Sequence, residues 1–182
     1  MDTLLSLTML VSGILLLVAF YGSTPGEAGD PTLRVNLLTV DVVQSKSEFI
    51  DTWAATLTKT KPVNKLGLVA PISKTFPEDM MLSADISLDG TSVMAIDSSL
   101  CESIKDEVIA KGFLAAGNPF PANCPFTKGN HRIVDYVVDT DRLPTVPDGK
   151  LECNVTLHMP DKDPFISIII TGIISHEVPG MG

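Results

Sequence analysis

The residues best able to do chemistry are three histidines and three cysteines, and the histidine spacing argues against an enzyme. His131, His158 and His176 are separated by predicted strands and turns, and none of them share the helical spacing of a zinc site. The chain has no Gly-x-Ser-x-Gly motif, which would hold a nucleophilic serine on a sharp turn. We therefore expect no catalytic residue, no meeting of a nucleophile with a base, no metal and no cofactor.

Two further residue sets have spacings that could suggest chemistry. Asp161 and Asp163 could attract calcium, but a lone Asp-x-Asp within a Pro-Asp-Lys-Asp turn is typical of the turn itself. Cys101, Cys124 and Cys153 predict one disulfide and one thiol left over if the protein matures in an oxidising compartment.

The first residues resemble a secretory signal rather than part of a fold. No charge occurs between Leu4 and Tyr21, and the small residues Gly26 and Ala28 have the spacing of a cleavage site. This predicts a signal peptide at residues 1–28 and one domain at residues 29–182, secreted to the extracellular space, with a lysosomal location as the weaker alternative. An uncleaved anchor is the other interpretation, because about 18 apolar residues is the lower limit for spanning a bilayer.

The charge excludes one class of partner. The chain has 13 basic and 22 acidic residues and a net charge of −9, and residues 1–28 contain two of the acidic residues and none of the basic ones. Affinity for nucleic acid comes mainly from neutralising phosphates, so a nucleic-acid partner is not expected. Anionic membrane surfaces would repel the protein weakly, which still allows transient membrane contact.

Period-two alternation of apolar and polar residues predicts an all-β domain. The clearest strand, residues 80–88, ends at Asp89-Gly90, a strong hairpin signal. The first strand changes face near Leu37-Leu38, which indicates a bulge. About eight short strands are predicted, at residues 33–43, 53–57, 66–72, 80–88, 93–96, 133–138, 151–157 and 165–174. Such a pattern is typical of an antiparallel β-sandwich.

Only one segment predicts a helix. Ser98-Ser99 could cap a helix that runs to Lys111 and is stopped by Gly112. The following residues, 113–122, are apolar, but Gly117 and two prolines interrupt them and Gly112 precedes them, so we expect an irregular loop. A loop this apolar must be buried by something, either as a movable lid over a ligand or as a surface for a partner.

The order of motifs from residue 66 to residue 175 resembles the ganglioside-activator branch of the ML lipid-recognition family, in its cysteine-poor arthropod form. Residues 124–129 read Cys-Pro-Phe-Thr-Lys-Gly, a strand and the turn Pro147-Asp148-Gly149 follow, and Leu100-Cys101-Glu102 opens a helix upstream. The resemblance implies an immunoglobulin-like sandwich whose sheets part to form an apolar cup. Lipid chains would lie inside it, and any enzymatic action would belong to a partner hydrolase.

We predict a disulfide between Cys101 and Cys124. Closing the loop of residues 102–123 would stabilise the fold by roughly 3 kcal/mol in the chain-entropy model. A Cys124–Cys153 bridge is the alternative. Cys153 shares a strand face with Leu151, Val155 and Leu157, which predicts an inward and inert free thiol, against the alternative of a reactive or intermolecular one.

The same alternation exposes Asn154, which begins the sequon Asn-Val-Thr. A signal peptide would make this sequon usable, so we expect an N-glycan on Asn154, against the alternative of an unoccupied sequon on a strand.

The last strand is apolar on both sides, with Ile166, Ile168, Ile170 and Ile174 on one side and Phe165, Ile169 and Ile173 on the other. One side fits ordinary core, and the second is expected to cover the loop or line the cup. The candidate cavity residues, chosen by strand face or loop membership, are Trp53, Leu82, Met94, Phe113, Leu114, Phe120, Phe126, Ile168 and Ile170.

The favoured function is a secreted carrier of a lipid or other hydrophobic small molecule, with a chemosensory or lipid-presenting role. A fatty acyl chain would gain roughly 0.8 kcal/mol for each buried CH₂. Two alternatives stay open: an interaction module that contacts a receptor and holds no ligand, and a non-catalytic activator of a lipid hydrolase.

Overall fold

The computed structural model describes residues 30–105, 110–121, 123–140, 143 and 146–177. The side chains at positions 110, 111 and 113 are also outside the description. The predicted signal peptide, residues 1–28, lies entirely outside the described residues.

Within the described residues, eight strands form two antiparallel sheets. One sheet has the strand order β1–β8–β7–β4–β5 and the other has the order β2–β3–β6. The inward side chains of each sheet are covered by the opposite sheet, as in other sandwiches. The predicted fold class, an immunoglobulin-like antiparallel β-sandwich, is confirmed. The strands are β1 (Leu33–Gln44), β2 (Ala54–Thr58), β3 (Lys65–Ile72), β4 (Met81–Leu88), β5 (Thr91–Ser99), β6 (Gly129–Tyr136), β7 (Gly149–His158) and β8 (Ile166–His176).

The hairpin between β4 and β5 turns at Asp89 and Gly90, as predicted. Both residues have positive φ angles, 49° and 79°. A two-residue hairpin turn of this kind needs positive φ at both central positions, which glycine adopts freely and aspartate tolerates. The alternation of β4 is also confirmed, because Ala84 and Leu88 are buried and Asp85 is exposed.

The predicted bulge in β1 is present. The pairing of β1 with β8 shifts between Leu37 and Thr39, and the extra residue, Leu38, turns outward. Gly172 of β8 lies at this point, and a Cβ there would come within 2.8 Å of the Asn36 carbonyl oxygen. A side chain at position 172 would therefore push the two strands apart, which explains a glycine inside a strand.

The described helical residues form two short segments, α1 (Leu100–Ser103) and α2 (Ala110–Ala115). Ser99 caps α1, since its Oγ accepts a hydrogen bond from the Glu102 backbone N–H at 3.2 Å. The prediction that Gly112 stops the helix is wrong, because Gly112 lies inside α2. An interior glycine costs a helix only about 1 kcal/mol, which contacts with the rest of the protein can offset.

The apolar segment that follows α2 is fixed to the edge of β6. The Asn118 N–H donates to the Arg132 carbonyl at 2.8 Å, and the Val134 N–H donates to the Ala116 carbonyl at 2.9 Å. These bonds give residues 116–119 a strand-like attachment to the three-stranded sheet. The expected irregular loop of residues 113–122 is therefore helical at its start and tied to the sheet in its middle.

Two groups of buried side chains fill the interior of the described part of the chain. The first is called the cavity cluster, because most of its members line an apolar cavity between the sheets. Its members are Ile50, Trp53, Leu68, Ala70, Ile72, Phe76, Met80, Leu100, Phe126, Ile133, Leu157, Phe165 and Ile166. The aliphatic cluster contains Leu33, Val35, Leu37, Leu66, Leu88 and Ile174.

The two sides of β8 are not both buried, contrary to the prediction. Ile166 and Ile174 are buried, but Ile173 is 43% exposed, so the second side of β8 does not line a cup. The alternation predicts Phe165 on that second side, yet its side chain is buried in the cavity cluster. The strand begins only at Ile166, and strand alternation does not constrain the residue before it.

Candidate functional site

An apolar cavity of about 120 Å³ lies between the two sheets. Strands β3, β4, β7 and β8 and the segments between strands all contribute to its wall. Every lining side chain is hydrophobic, so the wall has no charge to hold or reject a ligand. The lining residues are Trp53, Leu68, Ala70, Ile72, Phe76, Leu82, Leu100, Phe120, Phe126, Val155, Leu157, Ile166 and Ile168.

Five of the candidate cavity residues meet at this wall: Trp53, Leu82, Phe120, Phe126 and Ile168. They come from β4, from β8 and from three segments outside the strands. Five of the nine residues that the sequence predicts for the cavity therefore line it.

The other four candidates do not belong to the described wall. Met94 lies half-buried on β5, where it pairs with Ile86, and Leu114 lies half-buried on α2. Ile170 packs against the aliphatic cluster instead. The side chain of Phe113 is outside the described residues.

Several wall residues were not among the candidates. Leu68, Ala70 and Ile72 lie on the inward face of β3, and the alternation that predicted this strand was enough to identify them. Phe76 and Leu100 belong to segments without a strand pattern, so no periodicity pointed to them. The positions of Phe76 and Leu100 depend on how the connecting segments pack against the sandwich.

Aromatic rings close one side of the cavity. The rings of Phe120 and Phe126 meet edge to face with centroids 5.7 Å apart, and Phe76 stacks on Phe126 at 6.2 Å. Such pairs are favourable beyond the area they bury. Trp53 is oriented by its indole N–H, which donates to the Pro71 carbonyl at 3.1 Å. The polar edge of Trp53 is thus satisfied, and its apolar face remains for the cavity.

A disulfide holds two of the wall segments together. The structure joins Cys101 and Cys124, with their Cα atoms 5.6 Å apart. Leu100 precedes the first cysteine and Phe126 follows the second by two residues, and both line the cavity. The bridge therefore ties α1 to the aromatic side of the cavity.

A more open groove of about 370 Å³ lies on the other side of the same disulfide. Its walls carry Glu78, Glu102 and Lys105 together with Asn123, and Lys105 forms an ion pair with Glu102 at 2.7 Å. Both partners of that pair are largely exposed, so it contributes little to stability. The cavity between the sheets is lined by apolar side chains, whereas the groove also carries charged and polar ones.

The expectation that no nucleophile meets a base is wrong for one pair on the outer face of the five-stranded sheet. Ser83 Oγ lies 2.9 Å from His158 Nε2, and the hydroxyl also donates to Asp97 at 2.8 Å. The serine hydroxyl thus lies between a carboxylate and an imidazole nitrogen. Strand β4 is paired on both sides, so its backbone N–H groups belong to the sheet ladders and not to an oxyanion site. The contact is a hydrogen bond of the sheet surface.

Cys153 is a free, half-buried thiol on the inward face of β7. Burial, and to a smaller extent the charge of Asp85, raises its pKa from 9.0 to about 11. The thiolate is the reactive form of cysteine, and burial disfavours that form at this position. On the opposite face of the same strand, Asn154 is exposed between Asp85 and Ile169.

Asp161 and Asp163 occupy a turn, as expected. Asp161 has a φ of 56°, and the Lys162 N–H donates to the Met159 carbonyl at 3.1 Å. Within the described ranges, no three His, Cys, Asp or Glu side chains are grouped so that they could hold a metal ion. No helix of the described part of the chain is long and apolar enough to cross a membrane.

Comparison with known proteins finds likenesses among solved structures. No protein-family model matches the chain, and no curated protein matches it. Among solved structures, the chain is similar to the crystal structure of chicken MD-1 complexed with lipid IVa, at 11% sequence identity and a TM-score of 0.38. The match covers 79% of this chain and 98% of that one. A likeness at this level assigns neither a family nor a ligand.

Proposed function

We propose that this protein binds a small hydrophobic molecule in the cavity between its sheets. The observation that carries the proposal is a cavity of about 120 Å³ whose lining side chains are all apolar. Protein interiors are normally close-packed, with few voids larger than a water molecule. An apolar cavity of about 150 Å³ stays dry and accepts a molecule the size of benzene. A compact apolar ligand therefore fits the cavity described here.

The volume limits the class of ligand. A whole fatty acyl chain needs more room than the cavity offers, so the expected acyl-chain cargo does not fit unless the sheets or the aromatic segments move apart. A compact molecule, or the end of a longer chain, fits without that movement. Each buried CH₂ contributes roughly 0.8 kcal/mol, so binding would strengthen with size until the cavity is full.

We also propose that the protein is exported and carries its ligand outside the cell. The uncharged run from Leu4 to Tyr21 and the exposed Asn154 support export. An N-glycan on Asn154 is the matching modification. Protein from a eukaryotic secretory host should lose apparent mass on treatment with a glycan-removing amidase, and Asn154→Gln should abolish the shift. An unchanged mass would count against an occupied sequon.

The binding proposal is tested with toluene as the probe, measured by calorimetry or by NMR shifts of the cavity methyl groups. Toluene should bind, and Ala70→Leu should weaken its binding at least about tenfold because the larger side chain fills the cavity. Val69→Leu is the matched control, since Val69 is the neighbouring residue, outward-facing and 43% exposed. Leu82→Phe is a second filling variant if Ala70→Leu fails to fold.

Failure of toluene to bind the unmodified protein would refute the cavity as a ligand site. Protein from its native source would then be analysed by organic extraction and mass spectrometry. If no hydrophobic molecule is recovered, the alternative function, an interaction module that holds no ligand, is favoured.

A further inference from the structure

A buried polar side chain, His131, neighbours residues of the apolar wall. His131 projects inward from β6 and is only 8% exposed, and it is the one buried polar or charged residue in the described part of the chain. Its imidazole Nδ1 is fully buried and has no hydrogen-bond partner among the described protein groups. Leaving such an atom unsatisfied costs about 1–3 kcal/mol, so a buried polar atom of this kind calls for a function or a partner.

The other ring nitrogen fixes what Nδ1 can do. His131 Nε2 lies 2.8 Å from the Thr127 carbonyl oxygen, which can only accept a hydrogen bond. Nε2 must therefore carry the proton, and in the neutral ring Nδ1 then presents a bare lone pair. The Gly129 backbone packs against this edge, where a Cβ would come within 3.2 Å of Nε2 and Cε1. The Thr127 carbonyl and the Gly129 backbone hold the ring in place. In the neutral ring, Nδ1 is then a hydrogen-bond acceptor without a donor among the described groups.

The surroundings of His131 connect it to the cavity. Its partner on β3 is Ala70, whose side chain lines the cavity. The ring of Phe120, another lining residue, meets the imidazole edge at a centroid distance of 6.1 Å. Thr127, which holds Nε2, directly follows the lining residue Phe126. The imidazole is therefore a neighbour of two residues that line the cavity, Ala70 and Phe120.

From this geometry we infer that His131 is the polar anchor of the binding site and that the preferred ligand is a compact alcohol or phenol. A rotation of the Phe120 ring brings a ligand hydroxyl to Nδ1, where it donates the missing hydrogen bond. A carboxylate would bring a second acceptor against the lone pair, and a hydrocarbon would leave Nδ1 unsatisfied. The inference rests on the proposed function, because it requires that the cavity bind an apolar molecule at all.

The test compares phenol with toluene, two probes of similar size that differ in one hydroxyl group. In the unmodified protein, phenol should bind at least as tightly as toluene. His131→Leu should weaken phenol binding by about tenfold, because the hydroxyl group then loses its acceptor, and should change toluene binding by less than about threefold. The control is His158→Leu, which removes a histidine from the outer face of the sheet and should change neither affinity.

A second readout needs no variant. In protein with ¹⁵N-labelled histidine, phenol should shift the Nδ1 resonance of His131 as that atom accepts a hydrogen bond, while toluene should not. Equal effects of His131→Leu on both probes, or an unmoved Nδ1 resonance in the phenol complex, would overturn the inference and leave the proposed function intact. Failure of toluene itself to bind would overturn both.

Discussion

The two ends of the interior are built from different parts of the chain. All six members of the aliphatic cluster lie within strands: three on β1 and one each on β3, β4 and β8. The cavity cluster draws on strands for only part of its members, and the rest lie in the connections: Ile50, Trp53, Phe76, Met80, Leu100, Phe126 and Phe165. One end is therefore built entirely from residues of the strands, and the other is closed in large part by residues outside the strands.

This difference explains where the cavity lies. Leucine, isoleucine and valine on facing strands interdigitate closely, as in other sandwich cores. At the other end the rings of Phe76, Phe120 and Phe126 meet edge to face or stacked at 5.7 to 6.2 Å, and their positions depend on the connections that carry them. Segments outside the ladders open more easily than central strands, so this end is the one able to admit a ligand.

The largest expected effect is at the aliphatic end. Leu33 is fully buried there, so Leu33→Ala should lower the free energy of unfolding by about 2–5 kcal/mol. Toluene affinity of the folded protein should not change, because Leu33 does not line the cavity. Urea denaturation and calorimetry measure the two quantities. The control, Leu38→Ala at the exposed bulge position, should change stability by less than about 0.5 kcal/mol. A loss of toluene binding in folded Leu33→Ala protein would contradict the separation of the two ends.

A somewhat smaller loss is expected when the disulfide is removed. The double variant Cys101→Ser with Cys124→Ser should lose about 3 kcal/mol, because the unfolded chain regains the entropy of the closed loop. Toluene binding should also weaken, since Leu100 and Phe126 flank the cysteines and line the cavity. A stable double variant with unchanged toluene affinity would show that the bridge does not shape the cavity end.

The smallest effect concerns Cys153, which pairs with Ile170 at the border of the aliphatic cluster. Its pKa in the folded protein is raised from 9.0 to about 11, so above pH 9 the unfolded chain loses this proton first. The contribution to stability is full below pH 9 and declines as the pH rises through 11, by at most roughly 1.4 kcal/mol per pH unit.

Urea denaturation between these pH values measures that slope, and Cys153→Ala is the matched control, which should show a shallower decline. Identical slopes in the two proteins would mean that the thiol is not buried as described.

The sequence predicted what depends on local pattern. Alternation located the strands, Asp89-Gly90 located a hairpin, and the change of face at Leu37-Leu38 located a bulge. It also placed Ile168 and Ile170 together on the inward face of β8. Two residues along a strand span about 6.6 Å, which is enough to put Ile168 at the cavity and Ile170 against the aliphatic cluster.

Features that depend on contacts between distant segments were not predicted. Phe76 and Leu100 reach the cavity only through the way their connections fold over the sandwich. The helix through Gly112 forms against the local cost of glycine, and the Ser83–His158 contact requires that β4 pair with β7. His131 was noted only as a histidine without a metal-site partner, because neither its burial nor its unsatisfied nitrogen can be inferred from spacing.

The central claim is that an apolar ligand enters the sandwich between Ala70 of β3 and Leu82 and Ile168 of the opposite sheet. A crystal structure of the protein under xenon pressure, or soaked with toluene, tests it most directly. Electron density for the guest is expected inside this cavity, with the aliphatic end unchanged. Crystals that show no guest there, with the side chains of both sheets closed over the space, would contradict it.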